Sequence, residues 1–278
     1  MGWPFNPLDS LNIPKKPTFR KTTDLAVKDI LPGTASKTAP TIPCQIHRTI
    51  TKKGTGPSGI PDIVRKDVLE GYVAAIAQAS DYIYIENQYF REKEVADAII
   101  SQHKAKPDLR TIIVIPKVIE EFLKSKGDEL SKHGAALQFE LFESMKKAIG
   151  ANLGLFAMVR KDNILIYVHS KLVIIDDKFT SIGSANCNPR IFRVDTELEF
   201  RWYSETIAKD LRLNLWNEML GSPSTLNTWS SKDYVKKWSK IAKKNITGKA
   251  ADQKGFVIPF DNNNKGEKSP VPGLSNLV

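Results

Sequence analysis

Two short stretches hold the residue types needed to handle a charged tetrahedral group. They are Tyr167-Val168-His169-Ser170-Lys171-Leu172-Val173-Ile174-Ile175-Asp176-Asp177 and Ser181-Ile182-Gly183-Ser184-Ala185-Asn186. In an extended strand, residues two apart face the same way. His169 and Lys171 are therefore expected on one face, close together. The run from Leu172 to Ile175 is unbroken apolar, as in a strand buried on both sides. A lysine at the mouth of such a strand needs a partner, since lysine is seldom buried alone. Ser184 and Asn186 are again two apart, at the end of the next strand, and Asp176-Asp177-Lys178 is a turn that makes the two strands a hairpin. A histidine (nucleophile or acid), a cation, a hydroxyl and an amide then converge, a set suited to an oxyanion such as phosphate. Asp195-Thr196-Glu197 opens a further strand. A carboxylate there can hold the second nitrogen of His169, fix its tautomer and favour its cationic form. Glu197 is the preferred candidate; Asp195, or a surface ion pair, is the alternative.

Other residues read differently. Asp176 lies at the far end of the strand from Lys171, too distant to touch the same phosphate, and reads as a turn anchor. Glu86, Asn87 and Gln88 follow a strand end, where α/β sites gather; pocket lining and turn capping both fit them. Cys187 reads as a small buried residue. With Cys44 the only other cysteine, a disulfide scaffold and a four-cysteine zinc site are excluded, and a reduced pair is expected.

The elements that must position these residues alternate. Strands are expected at about 41–50, 81–86, 111–116, 155–160, 164–168, 171–176, 179–183 and 196–202. Helices are expected over 61–79, 92–103, 134–149, 205–220 and 231–245. This order predicts an α/β fold, a mixed β-sheet flanked by helices on both faces. Residues 1–40 read as a basic, Pro-rich arm or linker, 41–221 as the catalytic region and 222–278 as a basic C-terminal tail.

The chain has 278 residues and a net charge of +10. Residues 1–67 carry 11 basic and 5 acidic groups, residues 232–278 carry 10 and 4, and the middle carries 20 and 22. The positive excess thus sits on the flanks. Trp229 and Trp238, with Lys232, Lys236, Lys237, Lys240, Lys243 and Lys244, read equally as a membrane-docking face or a solvated basic helix. The first six residues lack a basic and apolar leader, and no apolar run approaches the length of a membrane span. A soluble or peripheral membrane protein is the expectation.

His169/Lys171/Asp176 followed by Gly183/Ser184/Asn186 resembles the phospholipase D superfamily, whose signature is His-x-Lys-x4-Asp and then Gly-Ser-x-Asn. Ile83-Tyr84-Ile85-Glu86-Asn87-Gln88-Tyr89-Phe90 looks like the segment upstream of the second such motif in eukaryote-type members, and Asp195-Thr196-Glu197 like the acidic segment downstream. The resemblance implies a phosphodiesterase that uses two His/Lys motifs, one histidine forming a phosphohistidine and the other protonating the leaving alcohol, with no metal or other cofactor. The lysines and asparagines hold the nonbridging oxygens. By this likeness His169 belongs to the second motif, the acid. Only one motif is present; the histidines at 47, 103 and 133 lack the pattern. The chain therefore resembles a C-terminal half. It is expected to act on glycerophospholipids at a membrane surface once a first-motif half is supplied, by a separate chain, a fragment or a second copy. The alternatives are a single-motif homodimeric nuclease, disfavoured by the acidic middle region, and a non-catalytic remnant.

Overall fold

A computed structural model describes residues 42–52, 62–117, 129–162, 164–248 and 252–260. The arm read at 1–40 lies outside them. Among the described residues, β1 (Cys44–Lys52), β2 (Asp62–Lys66), β3 (Tyr82–Glu86), β4 (Arg110–Val114), β5 (Leu153–Val159), β6 (Leu165–Ile166), β7 (Leu172–Ile175), β8 (Phe179–Gly183), β9 (Glu197–Tyr203) and β10 (Val257–Pro259) form one mixed sheet. Its order is β10-β5-β4-β3-β7-β8-β9-β1-β2, with β6 beside β5. Strands β3, β4 and β5 run parallel, and β7, β8, β9, β1 and β2 follow in antiparallel pairs.

The central strands are apolar on both faces, so each needs cover on both sides. On β3, Ile83 and Ile85 enter one core while Tyr82 and Tyr84 enter the other. The first core is covered by α1 (Asp67–Ile76), α2 (Lys93–Ala105), α3 (Glu129–Ile149) and α4 (Pro189–Arg193). The second is covered by α5 (Glu205–Met219) and α6 (Tyr234–Thr247). This is the expected α/β sheet with helices on both faces.

Three details differ from the sequence reading. Ile63 and Val64, counted toward a helix over 61–79, lie in β2, paired with β1; these β-branched residues suit an edge strand. The helix starts only at Asp67, with Val68, Leu69, Tyr72, Ala75 and Ile76 on its buried face. Second, residues 222–248 and 252–260 are built into the fold: α6 packs on the sheet and β10 extends it beside β5. Third, Trp238 is fully buried and Trp229 nearly so. Both tryptophans belong to the second core and not to a docking face, because α6 turns its apolar side inward and leaves Lys236, Lys240, Lys243 and Lys244 in solvent.

The β7–β8 turn fixes the hairpin. Asp176 and Asp177 both have φ of 54°, in the left-handed region that a type I′ turn requires. The Asp176 carboxylate accepts the backbone N–H groups of Ser80 (2.8 Å), Asp81 (2.9 Å) and Tyr82 (2.7 Å), tying the turn to the start of β3. Asp177 accepts from the Tyr82 hydroxyl and from the buried Arg212 guanidinium, at 2.6 and 2.7 Å. Asp176→Asn removes the charge and turns an N–H toward at least one of three donors. It should lower the unfolding free energy by about 2–3 kcal/mol, read as a lower urea midpoint with an unchanged slope. A loss under about 0.5 kcal/mol would show that these bonds do not hold the turn.

Candidate active site

The alternating directions of β3, β7, β8 and β9 bring four chain segments to one end of the sheet. Glu86 at the end of β3 pairs with Leu172 at the start of β7, Leu172 pairs with Ile182 near the end of β8, and Gly183 pairs with Glu199 near the start of β9. His169, Lys171, Ser184, Asn186 and Glu197 all lie on the segments that meet there. Asp176 lies at the opposite end.

The chain is irregular from Tyr167 to Lys171, and β7 begins only at Leu172. His169 and Lys171 thus precede β7 and do not lie within the strand from which their shared face was expected. Instead the lysine turns back: its Nζ donates to the carbonyl of His169 (2.7 Å) and to Gln88 Oε1 (3.3 Å). Lys171 is only 5% exposed, whereas His169 is open to solvent, with the Tyr167 ring stacked beside it at 6.3 Å. Burial lowers the pKa of Lys171, and the charges of Glu197 and Glu199 oppose that shift.

Gly183 is dictated by packing. A Cβ there would stand 2.2 Å from the carbonyl oxygen of Leu198. That close approach of β9 positions Ser184, whose hydroxyl bonds to the Glu197 carboxylate and accepts from the Leu198 N–H at 3.1 Å. Among the described contacts Glu197 thus bonds to Ser184 and not to His169. Burial raises its pKa. Asp195, the alternative, forms an ion pair with Arg190 at 3.0 Å. Asn186 places its Oδ1 in a buried position without a hydrogen-bond partner.

Glu86, the last residue of β3, and the two residues after it all touch the motif. Glu86 is buried and accepts from the Tyr84 hydroxyl and from Ser170 Oγ, both at 2.7 Å, steadying the link between His169 and Lys171. Asn87 accepts from the backbone N–H of Tyr89 (3.2 Å) and of Cys187 (3.0 Å) and donates to the carbonyl of Ala185 (3.4 Å), which fastens the Gly-Ser-x-Asn loop. Gln88 holds Lys171 through its oxygen and donates from Nε2 to Tyr167 (2.5 Å) and Tyr89 (3.1 Å). Cys187 is buried and free, and burial raises its thiol pKa.

Sequence reasoning missed Glu199. It is fully buried behind the loop, accepts from Ser181 Oγ (2.8 Å) and the Ala185 N–H (3.2 Å), and is pushed up to about 7 by burial. The signal was its position two residues after Glu197 in a strand, which puts both carboxylates on one face. Arg91 and Tyr167, at the rim, were also passed over.

The family model described as "Cardiolipin synthase, PLD-like domain" matches residues 72–219. The chain is 27% identical over 241 residues to phospholipase D alpha 4 of Arabidopsis thaliana, covering 64% of this chain and 31% of that protein. It is 28% identical over 235 residues to phospholipase D1 of Mus musculus, covering 63% and 22%. The chain thus spans about a third or less of the length of these relatives. Among solved structures it is similar to NucT from Helicobacter pylori (18% identity, TM-score 0.43, 65% of this chain and 98% of that one). It is also similar to a phosphatidylserine synthase from Haemophilus influenzae Rd KW20 (15% identity, TM-score 0.45, 73% and 46%).

Glu199 generates a pH prediction. Its folded pKa of about 7 lies above the ordinary 4.5, so between these values the native state binds more protons than the unfolded state. Stability contributed by this group is therefore present below pH 4.5 and lost as pH rises to 7. Glu199→Gln keeps an oxygen for the Ala185 N–H but cannot ionise. Its unfolding free energy relative to wild type should rise by on the order of 2 kcal/mol between pH 4.5 and 8, measured by urea unfolding. A pH-independent difference would contradict the assigned shift.

Proposed function

The chain belongs to the phospholipase D superfamily, and from that premise we propose that it supplies the second His/Lys half of a phosphodiesterase site acting on glycerophospholipids. One observation carries the reading: an exposed imidazole, a buried ammonium held by neutral oxygens, a hydroxyl backed by a carboxylate and an amide with an unpartnered buried atom gather at one sheet end. The names of the two curated relatives described above, both phospholipases D, favour a lipid over a nucleic acid. So does the net charge of −2 between residues 68 and 231.

In this reading the histidine of a first-motif half attacks phosphorus. A P–N bond forms as the P–O bond to the leaving alcohol breaks, and His169 delivers its proton to that oxygen. His169 then accepts a proton from water or a second alcohol, whose oxygen displaces the histidine. Lys171 and Asn186 hold the nonbridging oxygens, with Ser184 beside them. The first-motif half comes from a separate chain, a fragment or a second copy.

The isolated chain is expected to release almost no headgroup alcohol from phosphatidylcholine or phosphatidylethanolamine vesicles, and a first-motif half should restore release. Robust turnover by a proven monomer would refute the half-site reading. In the reconstituted enzyme His169→Ala and Lys171→Ala should each lower the rate by several orders of magnitude, and Asn186→Ala should raise the barrier by about 2–4 kcal/mol.

The role of His169 is tested by quenching turnover and mapping the phosphorylated histidine by mass spectrometry. The phosphoryl group is expected on the partner half. Finding it on His169 would reverse the assignment, and finding it on both copies of this chain would identify a symmetric homodimer.

A further inference from the structure

Among the described residues, five arginines are at least half-buried, and four have polar acceptors. Arg110 donates to the carbonyls of Asp108, Leu109 and Lys232. Arg193 pairs with Glu92 and Glu94. Arg201 donates to Ser181 and the Val68 carbonyl, and Arg212 pairs with Asp177. The fifth, Arg91, has a guanidinium with no hydrogen bond or carboxylate partner among the described residues, and its Nε is buried and unpartnered. Its guanidinium lies 4.1 Å from the centre of the Tyr89 ring. Burial pushes its pKa down to about 10, and the phenols of Tyr89 and Tyr167 oppose that shift. An enclosed cation without a counter-charge is costly unless an anion joins it.

Arg91 is also connected to the catalytic end of the sheet. Lys171 Nζ meets Gln88 Oε1, Gln88 Nε2 meets the hydroxyls of Tyr89 and Tyr167, and the Tyr89 ring carries Arg91. One amide and one aromatic ring separate the lysine expected to hold the scissile phosphate from a second cation. We propose that Arg91 anchors a second anion subsite, which takes a phosphate or carboxylate elsewhere on the same substrate and so selects anionic headgroups. The planar guanidinium, braced by the Tyr89 ring, suits an oxyanion with two oxygens. This deepens the phosphodiesterase reading and rests on it for the identity of the first anion.

The test uses binding first, so that it does not depend on turnover. Glycerol 1,3-bisphosphate and glycerol 3-phosphate are titrated into the full chain by calorimetry. Wild type should bind the bisphosphate about tenfold to a hundredfold more tightly, as expected for one charged hydrogen-bonded contact. Arg91→Gln should abolish that advantage and leave glycerol 3-phosphate unchanged, Arg91→Lys should keep part of it, and Lys171→Ala should weaken both ligands. A thermal melt confirms that each variant is folded. An advantage that survives in folded Arg91→Gln, or equal binding of the two ligands by wild type, overturns the proposal. In the reconstituted enzyme, Arg91→Gln should lower kcat/KM for phosphatidylserine more than for phosphatidylcholine. An equal loss on both would also overturn it and would leave the phosphodiesterase reading intact. Absence of all turnover with normal bisphosphate selectivity would refute that reading and leave the subsite standing.

Discussion

Burying the ammonium of Lys171 at a sheet end is the constraint around which the rest of the site is arranged. Desolvation disfavours its charged form, and only the nearby charges of Glu197 and Glu199 push back. Its direct partners, the His169 carbonyl and Gln88 Oε1, satisfy donors without neutralising charge. The two carboxylates are raised by their own burial, so each is a weaker counter-ion than a free carboxylate. The result is a cation kept available. A carboxylate in direct contact would compete with a phosphate for the same Nζ; glutamates tied up by Ser184, Ser181 and the Ala185 N–H act from behind and leave that position open.

Strand direction gives this cation its company. Because β3, β7, β8 and β9 alternate, the end of β3, the start of β7, the end of β8 and the start of β9 coincide. The polar residues at those ends need no long-range loop to meet. The opposite end of the same strands is anchored by Asp176 and by the buried Asp177–Arg212 pair. One motif thus spans two ends of one strand: Lys171 lies at the end where the candidate site residues gather, and Asp176 sets where β7 stops. Gly183 fits the same logic, since the crossing of β9 leaves no room for a side chain.

What was legible in the sequence follows from local physics. The apolar run Leu172–Ile175, the Asp-Asp turn and the alternation within Tyr82–Glu86 each specify a strand on their own. Together with the helical spacing at Val68, Leu69, Tyr72 and Ile76 they specify an α/β sheet covered on both faces. What was not legible depends on tertiary partners. Ile63 and Val64 fit a helix or a strand equally until β1 offers an edge. Val257–Pro259 is too short to be recognised until β5 pairs with it. Trp238 beside a row of lysines resembles a membrane face until the second core receives it. In the site, the Lys171 side chain could not be placed from strand periodicity, because regular strand β7 begins only at Leu172.

The two residues of the His-x-Lys pair are held in unlike ways, and this bears on the proposed half-site. Lys171 is enclosed by the chain's own Gln88 and His169 carbonyl, so its environment is set when this half folds. His169 stands in solvent against the Tyr167 ring. On the proposed reading, the oxyanion-holding part is therefore preorganised in the half alone, whereas the exposed imidazole meets the other half only on assembly. This order is physically favourable. Preorganised donors act on the oxyanion with no reorganisation at the moment of reaction.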